Sequence, residues 1–145
     1  MAGIILLVTL SVFVFHIEAI TLRNNGYEDV VIYIADNVPE SAISTDKIEE
    51  WLTEASSKLY DASRYNVYLR NITIRIPSAW KKKNFYQSVS GFGGASSDII
   101  IDEPNPLVGN TPYTFGQTIC GKSAQYIHFT PELINQGNTG NFGNL

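Results

Sequence analysis

The stretch Ser44–Tyr65, reading STDKIEEWLTEASSKLYDASRY, decides how the rest of the chain is organised. Ile48, Trp51, Leu52, Ala55, Leu59 and Ala62 recur at helical spacing. At ~100° per residue they fall within an arc of roughly 100°. Glu49, Glu50, Glu54, Lys58, Asp61 and Arg64 point elsewhere. Ser44, Thr45 and Asp46 are N-cap candidates, and Asp46 with Glu49 has the spacing of a capping box. An apolar stripe of this kind needs a surface to cover. The β-rich runs on either side, Val30–Ala35 and Val67–Ile76, supply it. The expected fold is therefore α/β (α+β), a mixed twisted sheet with one main backing helix.

Outward from the helix, Val30–Ile34 is a nearly continuous β-branched run, as expected of a strand buried on both faces. Asn24-Asn25-Gly26 before it signals a turn. After the helix, one strand is read over Val67–Ile76. Tyr68, Arg70, Ile72, Ile74 and Ile76 share one face; Val67, Leu69, Asn71, Thr73 and Arg75 share the other. Gln87–Ser97 is rich in Ser and Gly and reads as a surface loop. Asp98–Asp102 brackets a short strand, and Pro106–Gly121 reads as an irregular connection pinned by Tyr113 and Phe115. Tyr126–Thr130 is the last strand. Pro131–Ile134 starts a helical turn with Pro at its first position. A flexible Gly/Asn-rich tail is expected over residues 135–145.

The bounds are those of one domain. The chain has 145 residues, a formal charge of −4 and a pI near 5.0, which do not favour nucleic acid as a partner. Ile4–Phe15 is an apolar run of about 12 residues, the length of a signal-peptide core and too short to span a bilayer. Ile17-Glu18-Ala19 supplies a small residue for cleavage, so residues 1–19 are expected to be a signal peptide and the mature chain secreted, with its domain over residues 20–134. The run before it lacks Lys and Arg; a buried N-terminal segment and an uncleaved anchor are the alternatives. No later run is long enough for a transmembrane segment. Cys120 is the single cysteine. In an oxidising compartment it pairs outside this chain, stays a quiet thiol or is reactive. Asn71-Ile72-Thr73 is a glycosylation sequon, so Asn71 is the expected glycan site.

Chemistry is sparse. His16 lies in the signal segment, so His128 is the one histidine of the mature chain, and its β-like setting favours a packed residue over a base or ligand. Asp98, Asp102 and Glu103 do not fit a calcium-loop spacing and read as polar strand ends. Trp80-Lys81-Lys82-Lys83 is either a cationic patch for anionic glycans or lipid headgroups, or a solvated loop beside an anchoring Trp; the second reading is favoured. There is no His-Glu-x-x-His, P-loop or nucleophile elbow in the sequence. No catalytic, cofactor-binding or metal-binding residue is assigned.

Several segments resemble the N-terminal domain of the calcium-activated chloride channel regulator (CLCA) family. They are Ile20–Tyr27, Ile48–Leu59, Val67–Pro77 with Trp80-Lys81, Pro112–Thr114 and Cys120–Pro131, in the family's order. The resemblance implies a secreted or membrane-associated glycoprotein that modulates calcium-activated chloride conductance, with a chloride channel or another extracellular protein as partner. It also implies a zincin-like, self-cleaving zinc metalloprotease in the intact family, with a von Willebrand type A domain beyond. The zinc helix is expected just past residue 145, so no catalytic residue carries over, and no cofactor is expected in this chain. Two expectations follow: a non-catalytic regulator module, or the front part of an incomplete gene product whose intact form is the protease. An unrelated secreted carbohydrate- or lipid-binding domain is the third.

Overall fold

The computed structural model describes residues 20–81, the backbone of 87–89, and residues 96–117, 119 and 121–137. Residues 1–19, expected to be a signal peptide, Lys82, Lys83, Cys120 and the residues from 138 onward lie outside the described residues. Asn24 and Asn25 both adopt positive φ, 46° and 65°, which bends β1 (Thr21–Arg23) back on β2 (Gly26–Glu28) as an antiparallel hairpin. β2 also pairs in parallel with β4 (Tyr68–Leu69), completing a small three-stranded sheet. Arg70 fastens it. Its guanidinium donates to the Glu28 carboxylate at 2.6 Å, the Tyr68 hydroxyl at 2.7 Å and the Asn24 carbonyl at 3.0 Å. A Cβ on Gly26 would stand 2.6 Å from Arg70 Nε, so the glycine is what lets the guanidinium lie there.

The larger sheet runs β6-β5-β3-β7-β9-β8. β3 is Val30–Ile34, β5 Ile72–Pro77, β6 Gln87–Val89, β7 Ile99–Ile101, β8 Tyr113–Phe115 and β9 Tyr126–Phe129. All neighbours pair in parallel except β8, which closes one edge antiparallel to β9. The mixed α/β class is as expected. Three boundaries differ. Val67–Ile76 is two strands, because the chain leaves the small sheet at Arg70 and enters the large one at Ile72. Leu69 therefore packs on the core while Arg70 points out to Glu28. Gln87–Val89, read as loop, is a strand that pairs through its backbone with β5. Tyr113–Phe115, read as irregular, is the edge strand β8.

α1 spans Thr45–Ala62. Ser44, not Asp46, is its N-cap: Ser44 Oγ accepts from Lys47 N at 3.1 Å, which puts Asp46 inside the first turn. The helix stops short of Tyr65 because Arg64 and Tyr65 turn left-handed, at φ 57° and 68°. Ile48, Trp51 and Leu52 are buried, whereas Ala55 and Leu59 are half-buried and Ala62 is exposed. The stripe thus meets the core through its N-terminal half. There it joins Ile32, Ile34, Ile74, Ile76 and Ile101, with Trp51 edge-on to Phe129 at 4.9 Å. Trp80 is buried, and its indole Nε1 donates to the Val38 carbonyl at 2.9 Å, which is the anchoring role expected of it. α2 (Pro131–Gln136) starts at the Thr130 N-cap and ends at Gly137 with φ 62°. Asn135 and Gln136 therefore belong to this helix, and Asn135 Nδ2 reaches the Ala42 carbonyl at 2.7 Å.

Candidate functional site

β3 is central, and the chain leaves it in two directions. Through α1 it passes to β5 and β6 on one side; from β7 it passes to β9 on the other. Connections part between β3 and β7, and ligands of open parallel sheets collect outside the strand carboxyl ends at such a point. The residues following those two ends, Ala35-Asp36-Asn37 and Asp102-Glu103-Pro104, line a cleft of about 1110 Å³.

The cleft continues over the sheet face turned away from α1. Strand alternation decides its composition. The register sets Tyr33 beside Ile100, Ile100 beside His128, and His128 beside Tyr113, one row across four strands. Tyr126 and Phe115 form the next row. The rings stack in pairs: Tyr113 on His128 with centroids 4.6 Å apart, Phe115 on Tyr126 at 5.0 Å. The loop after β7 is tied to this wall. Asn105 Nδ2 donates to the Tyr113 hydroxyl at 3.2 Å, and Asn105 Oδ1 accepts from Leu107 N at 2.8 Å.

His128 is 4% exposed, and its Nδ1 has no hydrogen-bond partner among the described residues. Burial pushes its pKa down; the Asp102 charge and a hydrogen bond to the Glu103 backbone oppose that in part. A neutral imidazole results at pH 7. Burial pushes the Tyr33 hydroxyl up, and the Asp36 and Asp102 charges add to the shift. The Tyr126 hydroxyl is raised by burial first, then by Tyr113 and Asp102. Every charged group known to line the cleft is a carboxylate: Asp36, Asp102 and Glu103.

The residues singled out from the sequence fall as follows. His128 is packed, as expected, and it also lines the cleft. Asp98 and Asp102 stand at opposite ends of β7. The Asp98 carboxylate accepts from Val31 N at 2.8 Å, and burial raises its pKa despite that bond. It closes the β3 backbone and is not positioned to share a metal with Asp102. Asn71 is exposed just before β5, where a glycan would be accessible. Lys81 is exposed and its backbone N–H donates to Glu40 at 3.2 Å. Tyr33, Asp36 and Tyr126 were not singled out from the sequence. The available signal was aromatic residues at i, i+2 spacing, Tyr113/Phe115 and Tyr126/His128, which puts the rings of each strand on one face.

Zinc, implied by the family resemblance, does not fit these residues. His128 lies beneath Tyr113, and no group of three His, Cys, Asp or Glu able to hold a metal occurs among the described residues. No helix among them is long and apolar enough to cross a membrane.

An α/β module with an open aromatic face is thus the class. Residues 20–145 match the family described as "Calcium-activated chloride channel N terminal", and the chain belongs to it. Among relatives, it is 40% identical over 122 residues to calcium-activated chloride channel regulator 3A-1 of Mus musculus, covering 84% of this chain and 14% of that protein. It is 38% identical over 124 residues to calcium-activated chloride channel regulator 1 of Bos taurus, covering 86% and 14%. Regulator 4 of Homo sapiens is 37% identical over 115 residues, covering 79% and 12%. The chain therefore spans about one-seventh of the length of the first two relatives. No solved structure matches it.

Proposed function

We propose that this chain is the N-terminal module of a secreted regulator of calcium-activated chloride conductance and that it acts by binding, not catalysis. The observation that carries the reading is the family match over residues 20–145, joined to relatives whose names all state channel regulation. The cleft between the β3 and β7 ends is the binding face in this reading. Its groups are suited to recognition: stacked rings, a neutral histidine and three carboxylates. Residues 1–19 act as the signal peptide, Asn71 carries a glycan, and the partner is a chloride channel or another extracellular protein. Cys120 is a thiol available to that partner or a quiet one. Zinc chemistry, where the family uses it, is supplied by residues outside this chain. The test is twofold. The full chain expressed in epithelial cells should appear in the medium as a glycoprotein that loses mass on deglycosylation and does not in Asn71→Gln. Patch-clamp recording of cells bathed in that medium should then show an altered calcium-activated chloride current. Retention in the cell defeats the secretion reading; a secreted, folded chain that leaves the current unchanged defeats the regulatory one.

A further inference from the structure

The cleft has a chemical bias that goes beyond channel regulation and does not depend on it. Aromatic side chains line it: Tyr33, Tyr113, Phe115 and Tyr126. Among the described lining residues Asp36, Asp102 and Glu103 carry negative charge and none carries positive charge. The histidine in the wall stays neutral, because burial opposes its protonation. The carboxylates are only partly committed. Asp102 Oδ1 accepts from Glu103 N at 2.7 Å, and the Asp36 and Asp102 charges both lie near enough to the Tyr33 hydroxyl to raise its pKa.

Negative ring faces beside carboxylates define an attractive potential for one kind of guest. Anions are repelled by all three acids. A neutral apolar guest gains contact but nothing from the charges. A cation on an apolar stem satisfies both, since ring quadrupoles and carboxylates attract it from different sides. The volume suits a small molecule, and the site stands where parallel sheets present ligand crevices.

We propose that the cleft bounded by Tyr33, Tyr113, Tyr126, Asp36 and Asp102 binds a small organic ammonium, a cation on a short apolar body.

The test uses the purified full chain and n-butylammonium as probe, with n-butanol as its neutral counterpart and methyl β-glucoside as a sugar. NMR of the His128 ring protons reads occupancy, because that ring lies directly under Tyr113. Saturable shifts are expected with n-butylammonium and not with n-butanol. Asp102→Asn should weaken the ammonium by on the order of tenfold, through loss of one charge pair. Should that variant fail to fold, salt gives the same information on the unaltered chain: affinity should fall as sodium chloride rises from about 0.05 to about 0.5 M, since screening shortens the reach of the carboxylates. Equal binding of n-butanol, binding of the glucoside alone, or affinity indifferent to salt overturns the proposal. None of these outcomes bears on chloride current, so this proposal and the regulatory one fail separately.

Discussion

The two faces of the six-stranded sheet are built from the same strands and behave differently. Toward α1, Ile32, Ile34, Ile74, Ile76 and Ile101 meet Ile48, Trp51 and Leu52 in a sealed, wholly apolar layer. Away from it, Tyr33, Ile100, His128, Tyr126, Tyr113 and Phe115 border an open cleft ringed by acids. Adjacent residues on one strand, such as Ile32 and Tyr33, serve opposite purposes because alternation sends them to opposite sides. The lesson is that the helix face commits its side chains to packing. The other face borders open space with half-buried rings at Tyr113 and Tyr126 and carboxylates beside them, so truncation there should cost less.

The sharpest way to break that contrast is to cut one large aromatic from each side. Trp51 is buried at the helix–sheet junction, edge-on to Phe129. Trp51→Ala should cost about 3–5 kcal/mol in denaturant unfolding, from lost transfer energy and the cavity left behind. Tyr126→Ala, which loses one stacked and half-buried ring, should cost about 1 kcal/mol. Equal losses would mean that the cleft face is as much a core as the helix face.

Acid probes His128, a buried titratable group on the cleft face. The His128 pKa is depressed in the folded chain, so the unfolded chain binds the proton more readily. Stability from this group is complete above the unfolded value of about 6.5 and is lost as pH falls below it, by up to about 1.4 kcal/mol per pH unit until the folded value is reached. Burial raises Asp98 instead, so its protonation favours the fold at lower pH, near the ordinary carboxylate range. Urea midpoints at pH 7.5, 6.5 and 5.5 should therefore decline, and His128→Phe should flatten the decline. A slope that survives the substitution would place the titrating group elsewhere.

The helix side allows a milder cut. Ser44→Ala removes the bond from Lys47 N and should cost about 1 kcal/mol, with Asp46→Ala costing less since the N-cap position is held by Ser44. A reversed order would restore the capping box expected from the sequence.

That correction shows where the sequence is readable. Helix, β3, β9 and α2 were legible because each carries a strong local signal: the stripe from Ile48 to Leu59, the β-branched run Val30–Ile34, the alternation Tyr126–Phe129, the Pro131 start. β6 and β8 were not, because these three-residue strands lack the β-branched run that marks β7, and β6 is held by backbone pairing that any residue offers. The break at Arg70–Asn71 was hidden because the residues alternate straight through it; only the Arg70–Glu28 contact, 42 residues apart in sequence, reveals the change of sheet. The cleft was the least legible. His128 could be read as packed, but its row with Tyr33, Ile100 and Tyr113 comes from strand order, a long-range property no local pattern encodes.

The smallest expected effect tests whether the cleft wall acts through its ring faces. Tyr113→Phe keeps the ring stacked on His128 and deletes only the hydroxyl, whose partner is Asn105 Nδ2 at 3.2 Å. That bond is partly solvated, and water can replace the hydroxyl at the amide, so the loss in stability should be about 0.5–1 kcal/mol. n-Butylammonium should bind the variant almost unchanged, because a phenyl face attracts a cation nearly as a phenol face does. Tyr113→Leu, of similar bulk without a π face, should keep most of the stability and lose the binding. If both variants lose binding equally, the hydroxyl and the Asn105 loop hold the site together, and the distinction between a packing face and a recognition face must be redrawn around that loop.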